Sequence, residues 1–327
     1  MILGIESSCD ETAIAILDTQ GNLLEQRIAS QIKFHRKYGG VMPELAARKH
    51  AELIHDLIQS VQSEKWSWSD LSHIAVTTGP GLETSLLIGV SVAKTLGALL
   101  DIPVIPVNHL HGHLYSVFFE CEPQFPFMTL LVSGGHTLLI LAKNHFEFEV
   151  VGQSLDDACG EAFDKVARLM GLPYPGGPSI EIAAKDGRPT IQLPKPVLNR
   201  GLVFSFSGLK TSVRQWILNQ EAQKKEIPVA DLAASFQSTV ADLLSQKAIR
   251  AAKQYECQDL VLVGGVAANQ FIRQTMTEEA AKEAVRLLVP NPKICTDNAA
   301  MIAKAAYYQI KTDQPLSSLS VNPRFRI

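Results

Sequence analysis

The chain has 327 residues, which at roughly 150 residues per domain suggests about two domains. Hydrophobic residues make up 46% of it and charged residues 19%, a composition that is typical of globular proteins and excludes long-range disorder. The net charge of −3 excludes a surface that is basic throughout, so any contact with nucleic acid must come from a local patch or from a partner.

Strand-like and helix-like segments alternate along the chain, which indicates an α/β fold. Residues 2–5 and 13–17 are two apolar runs around a polar turn and predict a hairpin. Residues 127–132 and 137–141 repeat this design around the turn Ser133-Gly134-Gly135-His136. The doubled hairpin predicts two similar lobes whose polar turns face each other across one cleft.

Further elements follow in the second half of the chain. Helices are predicted at residues 158–170 and 299–310, and a strand at 259–263 that ends in Gly264-Gly265 before another helix. Residues 174–196 are rich in proline and glycine, which predicts a surface loop.

Cysteine usage and the apolar segments favour a cytoplasmic protein without a membrane span. The five cysteines are scattered and form no CxxC pair, which fits a reducing compartment. Residues 1–6 include an acid and no basic residue, unlike a signal peptide. The most apolar window, residues 86–107, is interrupted by Lys94, Asp101 and Pro103, so we expect a buried helix followed by a strand.

The chain lacks both standard phosphate-binding sequences. It has no GxxxxGK[ST], and the GxGxxG that begins at Gly79 has Thr84 in place of the third glycine. The turn at residues 133–136 and the pair Gly264-Gly265 can instead direct backbone N–H groups at an anion, because glycine tolerates positive φ and a close approach of the ligand. A single glycine pair often serves only to turn the chain, whereas three glycine-containing or acidic turns at strand ends favour a nucleotide-like ligand.

Histidines at 109, 111 and 113 form the sharpest local cluster. If this segment is helical, His109 and His113 lie one turn apart on one face and can share a metal ion, although the cluster can also be a solvated polar turn. No glutamate follows His109, which argues against an HExxH protease. Asp297, just before the helix predicted at 299–310, can cap that helix or supply a third ligand. Mixed nitrogen and oxygen ligation suits Fe(II), Zn or Mn.

Residues 31–50 form a basic stretch within an acidic chain. One glutamate opposes five basic residues, a local charge of +4, and the basic residues are Lys33, Arg36, Lys37, Arg48 and Lys49. Phosphate backbones attract such a patch, but a solvated helix face has the same composition.

Eight short motifs occur in order along nearly the whole chain. They are 6–12 (ESSCDET), 79–82 (GPGL), 108–113 (NHLHGH), 132–137 (VSGGHT), 163–167 (FDKVA), 174–178 (YPGGP), 205–211 (SFSGLKT) and 264–269 (GGVAAN). The set resembles the tRNA N6-adenosine threonylcarbamoyltransferases, known in bacteria as TsaD.

This resemblance implies an actin-like, Hsp70-like ATPase fold: a duplicated α/β structure of two lobes around a nucleotide cleft. We expect a first lobe at residues 1–114, completed by 300–327, and a second lobe at 115–299. It also implies transfer of a threonylcarbamoyl group from threonylcarbamoyl-AMP to the N6 amine of the adenosine 3′ of the anticodon, in tRNAs that read codons beginning with A. The implied partners are tRNA, a paralogous TsaB-type subunit and a TsaE-type ATPase.

Site residues carry over motif by motif. The implied metal ligands are His109, His113 and Asp297, with iron as the usual metal and zinc as a second possibility. The first turn supplies Asp10 and Glu11 as candidates for catalysis. The residues implied to bind the adenylate are Val132, Ser133, Gly134, Gly135, His136, Asp164, Gly177, Glu181 and Asn269.

One position departs from the family pattern, and one alternative function stays open. Many members have an acid where this chain has His111, which places the surroundings of the metal in question more than its ligands. An ATP-dependent kinase or ATPase of the same fold is the alternative, because a fold does not determine function. The set of His109, His113 and Asp297 discriminates between the two, since a magnesium kinase does not need it.

Overall fold

Two five-stranded sheets organise the computed structural model, which describes residues 1–61, 66–195 and 201–327. Each sheet belongs to one of two units, here called unit 1 (Met1–Cys121 with Thr296–Ile327) and unit 2 (Glu122–Cys295). The lobe boundaries expected from the sequence, 114/115 and 299/300, lie a few residues from these divisions.

Helices and strands alternate in both units. Unit 1 begins with β1 (Ile2–Glu6), β2 (Glu11–Leu17), β3 (Leu23–Ser30), α1 (Ile32–His35), α2 (Pro43–Ser60), β4 (His73–Gly79), α3 (Glu83–Leu100), β5 (Val104–Asn108) and α4 (His109–Tyr115). Unit 2 contains β6 (Phe127–Val132), β7 (Thr137–Asn144), β8 (Glu147–Gln153), α5 (Cys159–Leu169), α6 (Gly176–Ala184), α7 (Ser207–Ala222), α8 (Val229–Gln254), β9 (Asp259–Val263), α9 (Gln270–Lys282), β10 (Arg286–Leu288) and α10 (Pro292–Cys295). The chain then returns to unit 1 with α11 (Ala299–Lys311).

The two sheets have the same topology. Their strand orders are β3-β2-β1-β4-β5 and, read from the corresponding edge, β8-β7-β6-β9-β10. In each, the first three strands form an antiparallel meander and the last two run parallel to the first. Both predicted hairpins are therefore confirmed, and the weak sequence repeat reflects a duplicated architecture.

In unit 1 the two faces of β1 have different partners. Leu3 and Ile5 point into an apolar core that also contains residues of α2 and α3. Gly4 lies on the opposite face, between Ala15 of β2 and Ala75 of β4. This row of small residues lets α11 lie close to the sheet: a Cβ built on Gly4 would be 2.4 Å from the carbonyl oxygen of Ala299.

One helix of the described ranges, α3, is long and apolar enough to cross a membrane by length and composition alone. The helix and the following strand were predicted from residues 86–107, and both are present. Burial of α3 is one-sided: Leu86, Val90 and Ala93 lie in the core of unit 1, whereas Leu99 is 76% exposed. A core helix of a globular protein passes the same length and composition test.

The loop predicted at residues 174–196 is wrong for its first part, which forms α6. Pro175 is the N-cap residue and Pro178 lies in the first turn, where the missing N–H of proline has no intrahelical partner to lose. Proline and glycine therefore begin a helix here. Pro196, at the end of the predicted loop, lies outside the described residues.

Replacing Gly4 with alanine should destabilise unit 1. The added Cβ would overlap the backbone of Ala299, and such overpacking costs about 1–3 kcal/mol. Urea unfolding measures the loss. Gly40→Ala is the matched control, because a Cβ there meets no atom within 4 Å. Equal stability of the two variants would contradict the close packing of α11.

Candidate functional site

Three potential metal ligands converge in unit 1. Nε2 of His113 lies 3.1 Å from Oδ1 of Asp297, and Nε2 of His109 lies 3.5 Å from the same oxygen. The two histidines lie one turn apart on α4, which begins where Asn108 accepts a hydrogen bond from the backbone N–H of Leu110. The predicted helical spacing of the histidine pair is confirmed.

Asp297 is available as a ligand because another residue caps α11. The N-cap is Asn298, whose side-chain oxygen accepts a hydrogen bond from the N–H of Met301 at 2.9 Å. The alternative that Asp297 caps this helix is therefore wrong. Gly112 allows α4 to pack on α11, since a Cβ there would be 2.7 Å from Cδ1 of Ile302. This packing fixes Asp297 beside the two imidazoles.

The donor set fits a divalent metal ion. The side chain of His113 is fully buried, and neither of its ring nitrogens makes a well-aligned hydrogen bond within the described ranges. Burial also excludes the reading of this segment as a solvated turn. Buried polar atoms are normally paired, so a nitrogen pointing at a carboxylate without hydrogen-bond geometry indicates another ligand. One carboxylate oxygen and two imidazole nitrogens suit Fe(II), Zn or Mn.

The buried cluster brings carboxylates next to imidazoles, and each group shifts the pKa of the other. Burial would raise the pKa of Asp297, but the neighbouring imidazoles of His109 and His113 hold it well below its usual value. Burial would lower the pKa of His109, but the carboxylates of Glu6 and Asp297 outweigh this and raise it well above its usual value. A cation at this position has a carboxylate to neutralise it.

Glu6 was missed as part of this site. It ends β1, is fully buried, and its Oε2 accepts a hydrogen bond from the hydroxyl of Thr77 at 2.6 Å. The same oxygen lies 3.0 Å from Nδ1 of His109. A buried acid at the end of an apolar central strand is the sequence signal that could have identified it.

The turn after β1 brings Asp10 and Glu11 towards the same cluster. Asp10 is only 8% exposed. Burial, followed by the negative charges of Asp10 and Asp297, raises the pKa of Glu11 well above its usual value. His50 of α2 fixes the turn through the carbonyl oxygen of Cys9, 2.9 Å from its Nε2. No sequence pattern pointed to His50, because its partner lies 41 positions away.

In unit 2, the predicted glycine turn joins β6 to β7 beside the N-terminus of α5. Ser133 donates its N–H to the carbonyl oxygen of His136 at 2.8 Å, and Gly160 of α5 donates its N–H to that of Ser133 at 3.1 Å. Gly134 and Gly135 are exposed, and a Cβ on either would meet no atom within 4 Å. Neither glycine has positive φ, so that part of the predicted reason for glycine is wrong here. The open space beside both agrees with the other part, the close approach of a ligand.

The second glycine turn lies next to the first because β6 and β9 are parallel neighbours. Leu131 of β6 pairs with Val263 of β9. The next residue, Gly264, has a φ of 95° and lies so close to β6 that a Cβ on it would be 2.3 Å from the carbonyl oxygen of Val132. The helix predicted from about residue 268 begins at Gln270, after a short 3₁₀ turn. The carboxyl ends of β6 and β9 thus present both turns at one edge of the sheet.

The other adenylate candidates lie around α6 and α9. Asp164 accepts a hydrogen bond from the N–H of Gly176 at 2.6 Å, which fixes the start of α6, and Gly177 follows with open space beside it. Asn269 caps α9, and Glu181 of α6 accepts the N–H of Gln270 at 2.8 Å. Glu181 and Asn269 therefore meet at the N-terminus of α9.

The basic stretch of unit 1 exposes aromatic as well as cationic side chains. Phe34 is 44% exposed and Tyr38 is 52% exposed. Nζ of Lys37 lies 4.8 Å from the ring centre of Tyr38, and Nζ of Lys49 lies 4.5 Å from that of Phe34. This combination of rings and charges can stack bases and contact phosphates.

Replacing Glu11 with glutamine should stabilise the metal-free protein at neutral pH. Since the pKa of Glu11 is raised in the folded chain, ionisation destabilises the fold as the pH rises above the ordinary glutamate value of 4.5. Urea unfolding should give the variant a higher free energy of unfolding at pH 7, and the difference should vanish below pH 4.5. Glu44→Gln, at an exposed side chain, should leave the free energy of unfolding unchanged both at pH 7 and below pH 4.5. A Glu11→Gln variant that is less stable than the parent at pH 7 would contradict a raised pKa for Glu11.

Comparisons with known proteins agree with the motifs. The family model of TsaD, tRNA N6-adenosine threonylcarbamoyltransferase, matches residues 22–304. A protein of that name from Dictyoglomus turgidum is 46% identical over 308 residues, covering 94% of this chain and 92% of its own length. Another from Bacillus cereus is 47% identical over 329 residues, covering 99% and 95%.

Two solved structures show the fold. An activator of 2-hydroxyisocaproyl-CoA dehydratase from Clostridium difficile, solved with bound ADPNP, matches with a TM-score of 0.55 at 14% identity, covering 97% of this chain and 99% of its own. Full-length HypF, in a phosphate- and nucleotide-bound form, matches with a TM-score of 0.61 at 14% identity, covering 96% and 46%. Both have the actin-like ATPase fold, so the predicted fold class is confirmed.

The family assignment rests on nearly the whole length of the chain. The model match and the identities of 46% and 47% extend far beyond any single motif. The chain belongs to the tRNA N6-adenosine threonylcarbamoyltransferases, a family of acyltransferases that modify tRNA.

Proposed function

We propose that this chain transfers the threonylcarbamoyl group of threonylcarbamoyl-AMP to the N6 amine of the adenosine 3′ of the anticodon, in tRNAs that read codons beginning with A. The observation that carries the proposal is the convergence of His109, His113 and Asp297 within one unit of a protein of this family. An ATP-dependent kinase or ATPase is not favoured, because magnesium chemistry does not use two imidazoles.

The reaction transfers an acyl group from a good leaving group to a poor nucleophile. The amine attacks the carbamoyl carbon, the bond from that carbon to the phosphate oxygen breaks, AMP leaves with the electron pair, and the amine loses one proton. The lone pair of the amine is delocalised into the purine, so the enzyme must position the reactants, an effect that supplies up to about 7–11 kcal/mol of barrier reduction. It must also stabilise negative charge on the carbonyl oxygen.

Unit 2 is proposed to hold the adenylate. The open turn at Gly134 and Gly135 lies beside the N-terminus of α5, where backbone N–H groups and the helix dipole favour a phosphate. The other residues of this proposal are Val132, Ser133, His136, Asp164, Gly177, Glu181 and Asn269. Support comes from the parallel pairing of β6 and β9, which places both glycine turns at one edge.

Unit 1 is proposed to hold a divalent metal ion through His109, His113 and Asp297, with Fe(II) as the proposed metal and Zn as the second candidate. When bound, the ion supplies Lewis-acid stabilisation of the carbonyl oxygen of the threonylcarbamoyl group. The buried imidazole of His113, which lacks a well-aligned partner, supports this assignment.

Asp10 and Glu11 are proposed to divide the proton chemistry between them. The raised pKa of Glu11 favours its protonated form, which can donate a hydrogen bond to a developing negative charge. Asp10 is then the acceptor of the amine proton in the transition state. Two neighbouring carboxyl groups with different environments commonly take opposite roles of this kind.

We propose three partners for this chain: tRNA, a paralogous TsaB-type subunit and a TsaE-type ATPase. The family assignment supports this choice of partners. The location is the cytoplasm, where tRNA is modified.

Replacing both His109 and His113 with alanine should abolish metal binding and transfer together, since two of three ligands are lost. Metal content is measured by elemental analysis after anaerobic loading with Fe(II). Transfer is measured by mass analysis of nucleosides from unmodified tRNA, incubated with threonylcarbamoyl-AMP and the partner subunits. His55→Ala, at an exposed position on α2, is the control. A metal-free double variant with full transfer would refute the proposed site.

The basic stretch is proposed to contact the tRNA backbone. Lys33→Glu combined with Lys37→Glu should weaken tRNA binding and flatten its dependence on salt, because each lost phosphate contact lowers the slope of log affinity against log salt by roughly 0.7–0.9. Tyr38→Ala should weaken binding by about 1–3 kcal/mol if the ring stacks on a base. Filter binding across salt concentrations gives both values.

Lys224→Glu combined with Lys225→Glu is the matched control for this experiment. It makes the same change of net charge at two exposed lysines of unit 2. A parent-like salt slope for the Lys33 and Lys37 variant would assign the basic stretch to something other than tRNA.

A further inference from the structure

We infer that Glu6 is a positioning residue of the metal centre, whose carboxylate holds His109 in the tautomer that leaves Nε2 available to a metal. The inference rests on the proposed function, because it concerns a neighbour of the proposed ligands. Glu6 is not itself placed among those ligands.

Three potential hydrogen-bond donors surround the carboxylate of Glu6. Its Oε1 accepts the backbone N–H of Ser8 at 2.5 Å, and its Oε2 accepts the hydroxyl of Thr77 at 2.6 Å. Nδ1 of His109 lies 3.0 Å from the same Oε2. The side chain is fully buried, so solvent does not compete for these bonds. An ionised carboxylate satisfies all three donors at once.

A donated Nδ1–H determines what the other ring nitrogen can do. A metal binds imidazole in its neutral form, which carries one N–H, so an imidazole that donates from Nδ1 has its free lone pair on Nε2. Nε2 of His109 is the atom that points to Asp297. The carboxylate therefore selects the nitrogen that faces the proposed metal, as metal-bound histidines generally require of their outer partners.

Ser8 is the competing partner of the same nitrogen. Its hydroxyl lies 3.2 Å from Nδ1 of His109. A hydroxyl can donate or accept, so it selects neither tautomer, whereas a carboxylate can only accept. The control over His109 is accordingly assigned to Glu6.

The sheet explains why Glu6 can serve this purpose. It lies two residues after Gly4 and therefore on the same face of β1, the face that α11 covers. Thr77 lies on the neighbouring strand β4 and restrains the carboxylate. Among the described residues, Nδ1 of His113 makes no hydrogen bond. Within these residues, a carboxylate faces the Nδ1 of His109 and not that of His113.

The first test uses the parent protein loaded with Zn(II). Long-range proton–nitrogen NMR identifies which ring nitrogen of His109 carries hydrogen and which binds zinc. We expect hydrogen on Nδ1 and zinc on Nε2. Zinc bound through Nδ1 would overturn the inference without any variant having to fold.

The second test compares zinc affinities by competition with a chromogenic chelator. Glu6→Gln should bind zinc about 10–100-fold more weakly, the usual effect of losing such an outer partner. In either orientation of the glutamine amide, its NH2 group would face a hydrogen-bond donor. Ser8→Ala, which removes the other contact to the same nitrogen, should bind nearly as the parent does. Parent-like zinc affinity of a folded Glu6→Gln variant would overturn the inference.

A further variant covers the case in which Glu6→Gln does not fold. Thr77→Val leaves the carboxylate and removes one of its donors, so a smaller loss of zinc affinity is expected.

Failure of this inference and failure of the proposed function give different results. If the double alanine variant of His109 and His113 loses zinc while Glu6→Gln keeps it, only the role of Glu6 is wrong. If the parent binds no metal, the proposed metal centre itself is wrong.

Discussion

The close packing of α11 on the sheet of unit 1 is the constraint on which the candidate metal centre depends. A row of small residues, Ala15, Gly4 and Ala75, gives the helix a flat surface, and Gly112 lets α4 pack against the same helix. Asp297 immediately precedes the N-cap residue of α11, so its position beside the histidines of α4 follows from this packing. The C-terminal part of the chain thereby completes a site whose other members come from its first 113 residues.

The two units share one sheet topology but carry different residues at the equivalent turns. In unit 1, the turn between the first two strands contains the buried Asp10 and leads into Glu11 at the start of β2, and the neighbouring elements carry imidazoles. In unit 2, the equivalent turn is a pair of exposed glycines beside a helix N-terminus. The first arrangement favours a cation and proton exchange, whereas the second favours an anion.

Much of the fold and part of the site could be predicted from sequence because their signals are local. The hairpins follow from apolar runs around polar turns, and the i, i+4 histidine pair follows from helical periodicity. Glu6 and His50 were missed because their partners, His109 and Cys9, are distant in sequence and only the folded sheet brings them close. The start of α6 was predicted as a loop because proline and glycine also serve at helix N-termini, a role that composition alone does not reveal.

We expect two imidazoles and one carboxylate of unit 1 to bind one metal ion. X-ray absorption at the metal edge of the protein loaded with Fe(II) or Zn(II) measures these ligands. For zinc, we expect two imidazole nitrogens at about 2.0–2.1 Å and carboxylate oxygen at about 2.0–2.2 Å. A spectrum with only water oxygens around the metal, or with sulfur, would contradict it.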